Sequence, residues 1–331
     1  MKAINVGIVG ATGMVGRKLL DLLAKRDFPV NKLSLFGKST VGESLLFSSE
    51  EQIIQPLNKD SFNGLDLTIF SAGSSVAKEF CYEAINQDNY VIDLSSEFRY
   101  QEDVPLIVPE INGGIIDDLK QPTLIANPNC TTAQLLMALK PIHDLFKIER
   151  VDVASYQSVS GTGKEGIDEL LEQTESFLNK KEIKPRVYGA QIAFNVIPAG
   201  DILENNYTNE EMKMSFETNK ILDKDIKLSA TCSRVPVLFG HSLAVHVETK
   251  KEIDLNLLIE EIKKQKGLDI FDSQDFTSPN AVDHAEGKDP VSVGRLRLDL
   301  WKNNRINFWV VADNLRKGAA LNSLQILDEL L

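Results

Sequence analysis

Cys130 lies in Ala126-Asn-Pro-Asn129-Cys130-Thr-Thr-Ala-Gln-Leu-Leu-Met137, where a proline-containing turn gives way to an apolar-striped helix expected to end near Pro141. At a helix start a thiol meets unpaired backbone N–H groups and the positive end of the helix dipole, and both favour the thiolate. The same amides are suited to hold the oxygen of a tetrahedral adduct. A lone cysteine is more often a small buried hydrophobe. Cys81 and Cys232, in helix-like and strand-like surroundings, keep that reading.

A second chemical signal is Gly10-Ala11-Thr12-Gly13-Met14-Val15-Gly16, which follows an apolar run at Ile4–Val9 and opens a helical pattern over Met14–Lys25. Glycines in a strand–turn–helix context let the backbone approach a pyrophosphate, which the helix N-terminus attracts. The spacing is G-x-x-G-x-x-G rather than the commoner G-x-G-x-x-G. Where NAD-specific sites place an acidic residue at the end of the second strand, this chain reads Lys38-Ser39-Thr40. A lysine beside two hydroxyl donors suits a 2′-phosphate, so the expected cofactor is NADP (NADPH).

These groups need a frame. Strand-like runs at Leu33–Phe36, Leu67–Phe70, Tyr90–Leu94 and Thr123–Ala126, interleaved with helical segments such as Val76–Asn86, predict a parallel sheet covered by helices. From Val151 the strands lengthen and alternate: Val151–Val159, Ile226–Thr231, Leu243–Thr249, Val291–Leu300 and Asn307–Ala312. Helices are expected at Lys164–Asn179, Asp254–Lys264 and Arg316–Leu331. The predicted class is α/β, a Rossmann-type parallel-sheet domain with a second α+β domain. The expected division is 1–128 completed by a C-terminal helix at 314–331, with 129–313 as the second domain.

At 331 residues the chain is long enough for two cores, and 43% hydrophobic with 25% charged residues is ordinary for a globular protein. A net charge of −12 argues against nucleic acid as a partner. No secretory pattern or membrane-length apolar run appears, so a cytoplasmic, membrane-free protein is expected. Three widely spaced cysteines suggest neither a disulfide framework nor a zinc site. The loop Asp283-His284-Ala-Glu286 fits no standard metal spacing, so no metal is expected.

The strings NPNCTT at 127–132, GATGMVG at 10–16, SYQSVSGTG at 155–163 and RVPVLFGH at 234–241 closely resemble the aspartate-semialdehyde dehydrogenase family, in the same order and along the whole chain. The resemblance implies a Rossmann domain and a catalytic and dimerisation domain. It implies NADPH-dependent reduction of aspartyl-4-phosphate to aspartate-4-semialdehyde and phosphate, in biosynthesis of lysine, threonine and methionine, by a homodimer. It makes Cys130 the acyl-thioester nucleophile, His241 its acid/base partner, and Gln157 a substrate-orienting residue. Arg234 is expected on the substrate carboxylate, Glu210 on its amine, and Arg99, Asn129 and Lys213 around its phosphate. Cofactor contacts fall on Gly10, Ala11, Thr12, Gly13, Met14, Val15, Lys38, Ser39, Thr40, Ser71, Ala72, Gly73, Ser160, Gly161 and Asn314.

Separate cationic clamps for a doubly anionic substrate make physical sense, since arginine forks suit carboxylate and phosphate and lysine suits phosphate as a point charge. Family members often carry an arginine where this chain has Lys38. Two other readings are an N-acetylglutamyl-phosphate type of reductase and a silent NADP-binding sensor that uses Cys130 as a redox switch. NPNCTT with RVPVLFGH favours the aspartyl enzyme over the first.

Overall fold

The computed structural model describes residues 3–271 and 278–330; Met1 and Leu331, the ends of the expected first domain and terminal helix, lie outside the described residues. The chain forms two compact units, Met1–Asn129 with Ala319–Leu331, and Cys130–Gly318.

The first unit runs β1 (Ile4–Val9), α1 (Met14–Lys25), β2 (Val30–Gly37), β3 (Ser44–Phe47), β4 (Glu50–Pro56), β5 (Leu67–Phe70), α2 (Ser74–Ile85), β6 (Tyr90–Asp93), α3 (Pro109–Asn112) and β7 (Leu124–Ala126). The sheet order is β3-β4-β2-β1-β5-β6-β7. All pairings are parallel except β3 with β4. Helix-covered parallel strands are buried on both faces and so read as unbroken apolar runs, which is why Ile69, Ile92 and Ile125 are fully buried. Because β1 pairs with β2 on one side and β5 on the other, the strand order reverses at its C-terminal end, the customary ligand position in such sheets. The α1 stripe of Leu19, Leu22 and Leu23 packs into the same core as Leu324 and Leu327 of the C-terminal segment.

The second unit runs α4 (Cys130–Phe146), β8 (Ile148–Gln157), α5 (Lys164–Leu178), β9 (Ile197–Pro198), α6 (Asn209–Ile221), β10 (Lys227–Arg234), β11 (His241–Thr249), α7 (Leu255–Lys264), β12 (Leu268–Phe271), α8 (Ala281–His284), β13 (Val291–Leu298) and β14 (Arg305–Ala312). Its mixed sheet has the order β12-β13-β14-β11-β8-β10-β9. Helix α9 (Leu321–Leu330) then returns to the first unit.

Several expectations change. Helix α4 continues through Pro141 to Phe146, because the carbonyl of Met137, left without an N–H by the proline, accepts from Gln265 Nε2 at 3.2 Å. His284 ends a short helix rather than lying in a loop. The final helix begins at Leu321, preceded by a π-helical turn at Arg316–Ala320. The contact boundary also differs from 128/129 and 313/314. Asn129 packs with the first unit, and Asn314–Gly318 stay with the second, where Asn314 is hydrogen-bonded to Ser158, Ser160 and Gly240. Among the described residues no helix is long and apolar enough to cross a membrane.

Candidate active site

Four neighbouring strand ends build one cluster in the second unit. In register, Arg234 at the end of β10 stands beside Gln157 at the end of β8. His241 at the start of β11 stands opposite Ala312 at the end of β14, two residues before Asn314. Cys130 is the first residue of α4, as its turn–helix sequence predicted. Its Sγ lies 3.2 Å from His241 Nε2.

His241 is fully buried. Burial, with the Arg234 guanidinium adding to it, holds the imidazole well below its ordinary pKa of 6.5, so the ring is neutral at neutral pH. Its Nδ1 accepts the backbone N–H of Ser158 at 3.1 Å and lies 3.2 Å from the Ser158 hydroxyl. Asn314 Oδ1 accepts from the hydroxyls of Ser158 (3.2 Å) and Ser160 (3.1 Å) and from the Gly240 amide (3.0 Å). One buried amide thus ties the loop after β8 to the residue before His241.

Arg234 is buried; its Nη1 donates to the Ser158 carbonyl at 2.7 Å, and its guanidinium carbon sits 5.9 Å from the Tyr188 ring centre. Gly161 leaves room here, since a Cβ on it would lie 2.9 Å from Arg234 Nη1 and 3.2 Å from His241 Cε1. Gln157 is buried, with Nε2 donating to Ser155 Oγ at 3.3 Å. Gly318, in the π-helical turn, approaches the nucleophile's backbone so closely that a Cβ there would lie 2.5 Å from Cys130 Cβ. The other thiols are unlike Cys130. Cys81 and Cys232 are buried, and desolvation pushes Cys81 up strongly and Cys232 to about 12.

Glu210 and Lys213 pair with each other in the first turns of α6, Nζ to Oε1 at 2.6 Å. Arg99 and Asn129, both buried, belong to the first unit, where Arg99 Nη2 donates to the Leu94 carbonyl at 2.9 Å. Ser160, Gly161 and Asn314 stand with the Cys130–His241 cluster, while the other expected cofactor contacts lie in the first unit.

The first unit fits a dinucleotide. Gly10 has φ +82°, and a Cβ there would lie 2.9 Å from the Ser71 backbone. A Cβ on Gly16 would lie within 3 Å of Gly10 and Ala11, so that position keeps α1 close to the turn. Gly13 and Gly73, the caps of α1 and α2, place no side chain over the first-turn amides, leaving them for an anion. A 460 Å³ cavity beside the turn is lined by Gly10, Thr12, Lys38, Ser39, Thr40 and Ala72, among others. Thr12 and Thr40 hydroxyls meet at 3.2 Å, which joins the turn to the second-strand loop. Among the described residues no group of three or more His, Cys, Asp or Glu side chains could hold a metal ion.

Ser158, Gly318 and Tyr188 carry no signal of these roles in the sequence. Ser158 lay inside SYQSVSGTG, but a backbone amide leaves no mark on residue type. Gly318 and Tyr188 matter through contacts with residues far away in the chain.

Residues 5–119 match the family model described as semialdehyde dehydrogenase, NAD binding domain, and residues 139–317 the one described as semialdehyde dehydrogenase, dimerisation domain. The chain is 45% identical over 327 residues to aspartate-semialdehyde dehydrogenase 2 of Vibrio cholerae, covering 98% of this chain and 96% of that protein. It is 45% identical over 329 residues to the aspartate-semialdehyde dehydrogenase of Aquifex aeolicus, covering 98% and 97%. The crystal structure of Vibrio cholerae aspartate semialdehyde dehydrogenase II complexed with ASA superposes with a TM-score of 0.95 at 42% identity, covering 100% of this chain and 98% of that one.

Proposed function

The chain belongs to the aspartate-semialdehyde dehydrogenase family, and from that premise we propose that it converts aspartyl-4-phosphate to aspartate-4-semialdehyde and phosphate through a thioester on Cys130. The observation that carries this reading is the 3.2 Å approach of His241 Nε2 to Cys130 Sγ inside a buried, hydrogen-bonded cluster. Covalent catalysis divides one difficult reduction into two easier steps. Cys130 Sγ forms a bond to the acyl carbon, and the acyl–oxygen bond breaks with its electron pair leaving on phosphate. The α4 N-terminal amides steady the oxygen that becomes negative on the way. His241 manages the charge on sulfur, and Gln157 orients the acyl group.

Arg234, braced by the Ser158 carbonyl and Tyr188, offers a fixed guanidinium to the substrate carboxylate. Arg99, Asn129 and Lys213 serve the phosphate and Glu210 the amine; the Glu210–Lys213 pair holds both side chains in defined positions before substrate arrives. The first unit is a nicotinamide-dinucleotide binding domain, and we assign it NADPH because Lys38, Ser39 and Thr40 line its cavity with a cation and two hydroxyls. When bound, the reduced nicotinamide supplies the hydride that takes the thioester to the aldehyde level. Ser160, Gly161 and Asn314 complete the cofactor contacts, and the working assembly is a homodimer formed through the second unit. The activity serves lysine, threonine and methionine biosynthesis.

The test is the reverse reaction with purified chain, aspartate semialdehyde and phosphate, followed as reduction of NADP or NAD. The expected result is phosphate- and aldehyde-dependent NADPH formation, slower with NAD, and lost in Cys130→Ala while NADP still binds. Turnover by that variant would overturn the reading.

A further inference from the structure

The thioester reading leaves open which way the proton points between His241 and Cys130, and the hydrogen bonds decide it. A backbone N–H is only ever a donor. Ser158 N lies 3.1 Å from His241 Nδ1, so Nδ1 must present its lone pair there. The opposite ring orientation would put carbons against both Ser158 and Cys130, so the two contacts together fix the ring. A neutral imidazole with an unprotonated Nδ1 carries its proton on Nε2. That nitrogen faces Cys130 Sγ at 3.2 Å.

We propose that the Ser158 amide, held in place through Asn314, is the positioning group that locks His241 as the Nε2–H tautomer, so that His241 donates a hydrogen bond to a Cys130 thiolate and does not take the thiol's proton. Three features support the lock besides the single contact. Asn314 Oδ1 gathers Ser158, Ser160 and Gly240, and Gly240 directly precedes His241, so the amide and the ring are fixed by one side chain. Arg234 bonds the Ser158 carbonyl at 2.7 Å and pins the same residue from its other side. The charged side chain acting on the ring is also Arg234, which opposes an imidazolium and favours an anion on the neighbouring sulfur.

The thiol proton passes to solvent before the cycle begins, leaving the electron pair on Sγ against Nε2–H. That pair makes the bond to the acyl carbon as phosphate departs with the acyl–oxygen pair. Once the thioester carbon has received hydride from a bound reduced nicotinamide, the carbon–oxygen double bond re-forms as the carbon–sulfur bond breaks, and that pair returns to Sγ to meet the same Nε2–H.

A glutamine distinguishes a donor from a base, because its side-chain N–H₂ reaches where Nε2–H does but accepts no proton. The probe is iodoacetamide alkylation of Cys130 against pH in wild type, His241→Gln and His241→Ala. Wild type and His241→Gln should share nearly the same inflection. His241→Ala should react at neutral pH about tenfold or more slowly, the worth of one hydrogen bond to a charged group. Parallel loss in both variants, or no loss in His241→Ala, overturns the proposal. If the variants fold poorly, ¹⁵N-histidine spectra of the wild-type protein decide: a protonated Nε2 with a bare Nδ1 supports it, and a protonated Nδ1 overturns it. The proposal rests on the thioester reading, whose own failure would show separately as turnover in Cys130→Ala.

Discussion

Replacing Gly318 with alanine tests whether the π-helical turn sets the nucleophile's position. The added Cβ would lie 2.5 Å from Cys130 Cβ, 2.8 Å from its Cα and 3.3 Å from its carbonyl oxygen. Carbon atoms in contact sit roughly 3.5–4.0 Å apart, so the two backbones must separate by about 1 Å. Helix α4 is buried along most of its length and resists moving as a whole. On the other side, Arg316 is held to Asp289 at 2.7 Å, and Lys317 is buried. The displacement therefore falls on the start of α4 and opens the 3.2 Å Sγ–Nε2 contact beyond hydrogen-bonding length. A misplacement of about 1 Å at a reacting group costs roughly 10²-fold in rate, and an overpacked methyl about 1–3 kcal/mol in stability. Steady-state NADPH formation, Cys130 alkylation and thermal unfolding should be measured on the same sample. Gly318→Ala should lose kcat and alkylation rate together, with substrate KM little changed. Wild-type kcat and Tm in this variant would refute the reasoning.

Arg234→Lys keeps the charge but loses the fork that grips the Ser158 carbonyl, so KM for aspartate semialdehyde should rise about 10- to 100-fold, the worth of one charge-assisted hydrogen bond; an unchanged KM would place the carboxylate elsewhere. Lys38→Ala should weaken NADP binding by about tenfold or more and leave NAD nearly untouched, as titrations of both would show; equal losses would argue against a 2′-phosphate contact. His241 and His143 are both held below the ordinary 6.5 by burial, so below that pH the unfolded chain binds more protons than the folded one. Their contribution is complete above the unfolded value and fades as pH falls, by up to about 1.4 kcal/mol per pH unit for each group. His241→Gln removes one contributor and should flatten the acid side of a Tm–pH curve, and a slope equal to wild type would contradict this.

What was legible in the residues was whatever depends on local pattern. Apolar runs between turns located the buried strands Leu67–Phe70 and Tyr90–Asp93, and a 3.6-residue stripe located Met14–Lys25. The nucleophile and the glycine turn announced themselves because glycine and a helix-start cysteine have chemistry of their own. Helix α6 carries a capping box in Thr208 and Glu211, but its weak apolar stripe gives it no clear periodic signal. The end of α4 lies beyond Pro141, which local pattern does not disclose, because relief of the proline comes from Gln265, distant in the chain. Ser158 and Gly318 leave no local mark for the same reason: one acts through a main-chain amide and the other through a missing side chain, each against a residue brought near by the fold.

The most direct test of the thioester is a mass measurement. Purified chain mixed with aspartate semialdehyde and NADP, without phosphate, should accumulate one aspartyl group on the peptide containing Cys130, discharge it when phosphate is added, and show no adduct in Cys130→Ala. An adduct on another residue, or NADPH formed with no adduct at all, would contradict the account.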